Sequence, residues 1–259
     1  MPALDSLLRR DRAIVGAGLL ATALVVWLYL FRLSMSMPGM DMAEMPGMAM
    51  PRDHAWDPVD VLLLFVMWAV MMIAMMVPAD APMILTFAMV QRTRREQDRA
   101  AIPTVVFLLG YAAVWTAYAT VAALAQWRLH EAGFLSAAMA STSAWLGSAL
   151  LLVAGVFQWT PLKQACLAKC RSPLSFVMTE WRDGRAGAFV MGMRHGAYCV
   201  ACCWALMALL FVAGVMNLLW VAGLAVFVLA ERVLPGGLVV GRIAGALLLV
   251  AGVVILVRG

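Results

Sequence analysis

The phrase MGMRHGAYCVACCWALM puts Met191, Cys199, Cys202 and Cys203 within about 80° of His195 around a helix axis. Imidazole and thiolate are ligands for copper, zinc and iron, and residues at i and i+4 of one helix can share an ion. A single cysteine in an apolar helix is usually a small buried side chain. Three within five residues, in register with a histidine, point past packing to soft-metal ligation. Upstream, QWTPLKQACLAKC sets Cys166 and Cys170 at i and i+4. On a helix both thiols face one way and could hold a Cu(I) ion or pass it on.

Thioethers supply a second set of soft donors. Seven methionines fall between Ser34 and Pro51, and the unit MPGM occurs there twice. A methionine in a solvated loop has little packing work to do, and clustered thioethers favour Cu(I) over harder cations, though another soft metal would also suit them. Met37, Met40, Met42, Met45 and Met48 are the candidate ligands, with Asp41, Glu44, Asp53 and His54 as secondary, harder donors. A further run, MWAVMMIAMM, places Met67, Met71 and Met75 in one helical row and Met72 and Met76 in the next. Methionine also fills gaps between helices. Directly behind a Met-rich loop, however, this face extends the series of soft donors.

These residues must be carried by membrane helices. The 259 residues are 65% apolar and 13% charged, with mean hydropathy +0.93, which excludes a soluble globular domain. The expected fold is all-α, a polytopic transmembrane bundle of about seven spans near 13–33, 59–78, 103–127, 142–160, 188–212, 217–233 and 238–257. Fourteen of the nineteen basic residues fall on one side of that arrangement, among them Arg9, Arg10, Arg12, Arg92, Lys163, Lys169, Arg171, Arg232 and Arg242. Cytoplasmic loops collect Lys and Arg, so the N-terminus is expected inside and the Met-rich loop outside. The net charge of +5 then reflects topology rather than nucleic-acid binding. Three units follow: residues 1–33, a cytoplasmic segment and signal-anchor helix; 34–57, the outward-facing Met-rich metal-binding loop; and 58–259, a six-helix membrane core. The low-complexity loop, with Pro38, Gly39, Pro46, Gly47 and Pro51, is expected to order only around a metal or partner.

Pro78 and Pro82 should break the second span. Asp80 between them is either a functional ionisable group in the membrane or a helix cap. Arg194 needs an acidic partner in lipid, with Asp80 and Glu231 as candidates. Gly192 with Gly196, and Gly241 with Gly245, permit close helix approach. The cysteines lie in the membrane or inward of it, which favours free thiols or metal ligands over structural disulfides. No phosphate-binding glycine loop is present, and His54, His130 and His195 do not form a haem or binuclear pair.

The phrases MWAVMMIAMMVPADAP, GYAAVW, QWTPLKQACLAKCRSPLSF, WRDGRAGAFVMGMRHGAYCVACCWALM, FVAGVMNLLW and VLAERVLPGG together resemble the predicted metal-binding integral membrane protein family over residues 59–252. That family was long described as a domain of unknown function, and some members are associated with copper delivery to copper enzymes such as tyrosinases. The resemblance implies that Met71, Met72, Met75, Met76, Pro78, Cys166, Cys170, His195, Cys199, Cys202, Cys203 and Glu231 are its motif positions. The expected function is non-enzymatic: Cu(I) capture by the loop, followed by delivery or translocation along the second and fifth spans. Expected partners are the lipid bilayer and a copper enzyme or periplasmic copper carrier, with oligomers allowed and nucleic acid excluded. The expected site of action is the bacterial inner (plasma) membrane, with the N-terminus cytoplasmic and the loop periplasmic or extracellular. A structural or assembly subunit of a membrane complex and a membrane thiol oxidoreductase are the alternatives.

Overall fold

Asp57, Pro58 and Asp60 start the first described helix. The Asp57 N–H donates to Asp60 Oδ2 at 3.1 Å, closing a capping box, and Pro58 occupies the first helical position, where its missing N–H costs nothing. The computed structural model describes residues 56–94, 101–136 and 140–258. The expected span at 13–33 and the candidate ligands Met37, Met40, Met42, Met45 and Met48 lie outside the described residues.

In chain order the helices are α1 (Pro58–Ala79), α2 (Ala81–Arg94), α3 (Ala101–Glu131), α4 (Ala144–Phe157), α5 (Pro161–Arg171), α6 (Pro173–Thr179), α7 (Gly184–Ala208), α8 (Leu210–Ala213), α9 (Leu218–Val233) and α10 (Gly237–Arg258). Among the described residues the only β pairing is an isolated bridge between Leu135 and Ser141. The architecture is therefore all-α.

Six of the seven expected spans fall on described residues, and six are more than the structure supports there. Four helical segments are long and apolar enough to cross a bilayer: α1, α3, α7 continued through α8, and α10. A fifth arises if α4 and α5, bent by 66°, count as one. The run at 142–160 is cut because α4 ends after 14 residues, about 21 Å. The chain then restarts at Thr160, whose hydroxyl accepts from Lys163 N at 3.3 Å, and Pro161 leads off at the new angle. The run at 217–233 gives only the 16 residues of α9, about 24 Å. Its start is set by Gly214, at φ 87°, and by the Asn217 side chain, which accepts from Trp220 N at 3.1 Å. Apolar composition is continuous through these runs, but capping residues divide them.

The break in the second span falls where its prolines place it. Asp80 separates α1 from α2, and its backbone N–H closes α1 by donating to Met76 O at 3.0 Å. The outward side of α1 exposes Leu62, Leu63, Val66 and Val70, whereas Trp68, Met71, Met72, Met75 and Met76 are buried. α10 divides likewise, with Val239, Ile243, Leu247 and Val250 exposed and Gly241, Gly245 and Gly252 buried. Exposed apolar faces of this kind suit a lipid surround.

The closest helix crossings are made by glycine. A Cβ on Gly192 of α7 would collide with the Phe107 carbonyl of α3, and one on Gly110 of α3 with the Phe189 carbonyl of α7. Gly196 repeats the contact one turn on, against Tyr111 and Val114. Gly155 of α4 meets Gly245 of α10 in the same manner. Small residues at four-residue spacing let two backbones touch. At the α3–α7 crossing, this contact brings Tyr111 and Trp115 onto the cysteine stripe of α7.

Candidate metal centre

Cys199, Cys202 and Cys203 lie on α7 and are fully buried in one core with Met71, Met72, Met75, Met76, Cys166 and Cys170. Cys202 Sγ is 3.2 Å from Cys203 Sγ, and it donates to the Cys199 carbonyl at 3.1 Å. Three of the five thiols thus stand together on α7, and Cys166 and Cys170, carried by α5, are buried in the same core. The 66° bend between α4 and α5 sets the helix that carries them against α7. Cys166 is buried one turn earlier on α5.

Helix α3 lines the cluster with polar edges of aromatic rings. The Tyr111 hydroxyl lies 3.1 Å from Cys199 Sγ, and the Trp115 indole N–H donates to the same sulfur at 3.3 Å. Tyr111 also reaches the Met76 carbonyl at 3.4 Å, so the inner end of the methionine face of α1 is one side chain away from Cys199.

Arg232, near the end of α9, completes the cluster. Its Nη2 lies 2.7 Å from Cys199 Sγ, 3.4 Å from Cys203 Sγ and 3.9 Å from Cys202 Sγ. Nη1 faces Asp80 Oδ1 at 3.7 Å. Sequence reasoning counted Arg232 among the cytoplasmic charges that set topology, whereas it is buried against the thiols. Lys163 and Arg171, counted with it, are also engaged internally. Lys163 Nζ bonds both Glu231 carboxylate oxygens, at 2.8 and 2.9 Å, and also Gln158. Arg171 donates to the carbonyls of Glu231, Leu234 and Pro235 at the end of α9.

His195 sits beside this cluster rather than facing a sulfur. Its Nε2 is 2.6 Å from Asp80 Oδ1, and its ring packs among Phe107, Tyr111 and Phe176. The side chain of Asp80 is therefore a partner for His195 and Arg232, while only its backbone takes part in ending α1. The two acids suggested for Arg194 serve other side chains: Arg194 pairs with Glu180, Asp80 with His195, and Glu231 with Lys163. Missing from the sequence reading were Arg232, Tyr111 and Trp115 as neighbours of the thiols. The available signal was an arginine next to a glutamate at the end of an apolar helix, a pairing that in lipid marks an engaged charge.

The chemistry of the donors suits a soft cation, but the cluster is closed. Among the described residues, no three His, Cys, Asp or Glu side chains stand in ready ligand geometry. A thiolate–metal bond is about 2.3 Å, so sulfurs 3.2 Å apart touch each other instead of surrounding a centre. Loading would need the thiols to separate by about an ångström and lose protons, because the thiolate is the ligand.

No curated protein and no solved structure matches the chain. The family described as a copper chaperone, PpoB2, matches residues 65–255, which takes in the methionine face, all five cysteines, His195 and Arg232. With three quarters of its length inside that match, the chain belongs to the PpoB2 copper chaperone family.

Proposed function

We propose that this protein is a non-enzymatic, membrane-embedded carrier of Cu(I), its high-affinity site drawing two thiolates from Cys170, Cys199, Cys202 and Cys203. The observation that carries the reading is a cluster of three buried thiols on α7 beside a fixed positive charge, with two more buried in the same core on α5. Thiolates select soft monovalent copper, and burial excludes water and oxidants that would turn it over. Met37, Met40, Met42, Met45 and Met48 would capture the ion on the outer side. Met71, Met72, Met75 and Met76 would pass it towards Tyr111 and Cys199, with Cys166 beyond Cys170 on the exit side and His195 holding Asp80 in place. Rising affinity from thioether to thiolate gives that route its direction. The recipient would be a copper enzyme or a soluble copper carrier, reached from the inner membrane of a bacterium with the N-terminus on the cytoplasmic side.

The test is titration of the reduced, detergent-solubilised protein with Cu(I) against a chromophoric competitor. Cu(I) should bind tightly, and Cys199→Ala/Cys202→Ala should abolish the tight phase while deletion of residues 34–51 leaves it. Equal binding by the double variant would refute the thiol site. The sulfur contact between Cys202 and Cys203 supports a second reading, a membrane dithiol couple. Thiol trapping in cells distinguishes it: cycling between reduced and oxidised forms supports that reading, and thiols that stay reduced exclude it.

A further inference from the structure

The Arg232 guanidinium is buried, and among the described residues its Nε and Nη1 have no hydrogen-bond partner. Its nearest carboxylate, Asp80, is held by His195 at 2.6 Å and stands 3.7 Å from Arg232. The shortest contact of the cation is instead with sulfur, at 2.7 Å. A buried cation without a full carboxylate partner is costly, so its setting is built for negative charge that the neutral thiols do not yet carry.

We propose that Arg232 is the specificity-determining residue of the thiol cluster, pairing its fixed charge with the single negative charge of a two-thiolate Cu(I) complex. The inference rests on the thiol cluster being the copper site. Loading is balanced as two thiols plus Cu(I) giving one anionic dithiolate complex and two protons released to solvent. Arginine stays protonated throughout, so one guanidinium matches one complex. Zn(II) on the same two sulfurs gives a neutral complex, which leaves Arg232 without a counter-ion. Zn(II) on four sulfurs carries two negative charges, one more than Arg232 balances. At two-thiolate coordination the charge balance therefore favours a monovalent soft ion, in addition to the preference of sulfur itself.

The experiment measures Cu(I) and Zn(II) affinities of the full-length reduced protein and its Arg232→Gln, Arg232→Lys and Asp80→Asn variants. Arg232→Gln should lower Cu(I) affinity by at least about tenfold with a smaller loss, or a gain, for Zn(II), because one unit charge beside the site is removed. Arg232→Lys should recover most of the Cu(I) preference. Asp80→Asn, which removes a competing negative charge, should hold or raise Cu(I) affinity. A structural role alone would depress both metals together in Arg232→Gln, with no rescue by lysine, and that result overturns the proposal. Should Arg232→Gln not fold, a Cu(I) preference that falls in Asp80→Asn overturns it equally. Wild-type protein that binds no Cu(I) removes the copper site itself, a failure distinct from an unchanged metal preference in the variants.

Discussion

Arg232 Nη2 and Cys199 Sγ lie 2.7 Å apart, although 33 residues separate them and they sit on different helices. This contact joins the middle of α7 to the end of α9 and sets a permanent charge against the thiol at the centre of the cluster. Cys199 also receives Trp115 and Tyr111, which makes it the sulfur with the most polar neighbours.

Cys199 should consequently matter more than Cys166. Cys199→Ala is expected to lower Cu(I) affinity by about two orders of magnitude or more, since loss of a ligand exceeds the 10–100-fold typical of outer partners. Cys166→Ala should change it by less than about tenfold. Competition titrations of the two single variants check the ranking.

Tyr111→Phe removes a hydroxyl contact to Cys199 without disturbing the packing around it. A loss of about 1 kcal/mol, close to fivefold in Cu(I) affinity, is expected, and the fold should be retained. Titration together with thermal unfolding in detergent separates the two effects.

Gly192→Val should disrupt the bundle because the new side chain meets the Phe107 carbonyl, which belongs to backbone and cannot swing aside. A destabilisation of about 3 kcal/mol or more is expected, with loss of metal binding as α3 leaves the thiols. Gly223→Ala, where a Cβ meets open space, should fold normally. Thermal melts of both variants check this.

The Lys163–Glu231 pair ties α5, the bearer of Cys170, to α9, the bearer of Arg232. Lys163→Met alone leaves a buried carboxylate without its cation and should cost about 3–5 kcal/mol. Lys163→Met/Glu231→Leu should recover much of that, because a buried pair replaced by apolar groups is close to neutral. A double-mutant cycle on unfolding in detergent measures the coupling.

What could be read from the sequence was local. The stripe of His195, Cys199, Cys202 and Cys203 follows from helical spacing within one segment, and the break at Asp80 follows from two prolines. The glycine pairs anticipated the tightest crossings for the same reason. The burial of Cys166 and Cys170 in one core with the α7 thiols could not be read, because it depends on a 66° turn made by Thr160 and Pro161. The burial of Arg232 and Lys163 could not be read either, since composition does not distinguish a loop cation from one buried against a partner 68 residues away, as Lys163 is from Glu231. His195 fell on the correct face but turned its Nε2 to Asp80, a neighbour 115 residues distant in sequence. Span number was overestimated because hydropathy averages over the caps that cut α4 and α9 short.

The most direct test of the central claim is X-ray absorption spectroscopy on copper-loaded, reduced protein. The account predicts Cu(I) bound by sulfur, with that signal lost in Cys199→Ala/Cys202→Ala. Copper bound through nitrogen or oxygen, or sulfur-bound copper that persists unchanged in the double variant, would contradict it.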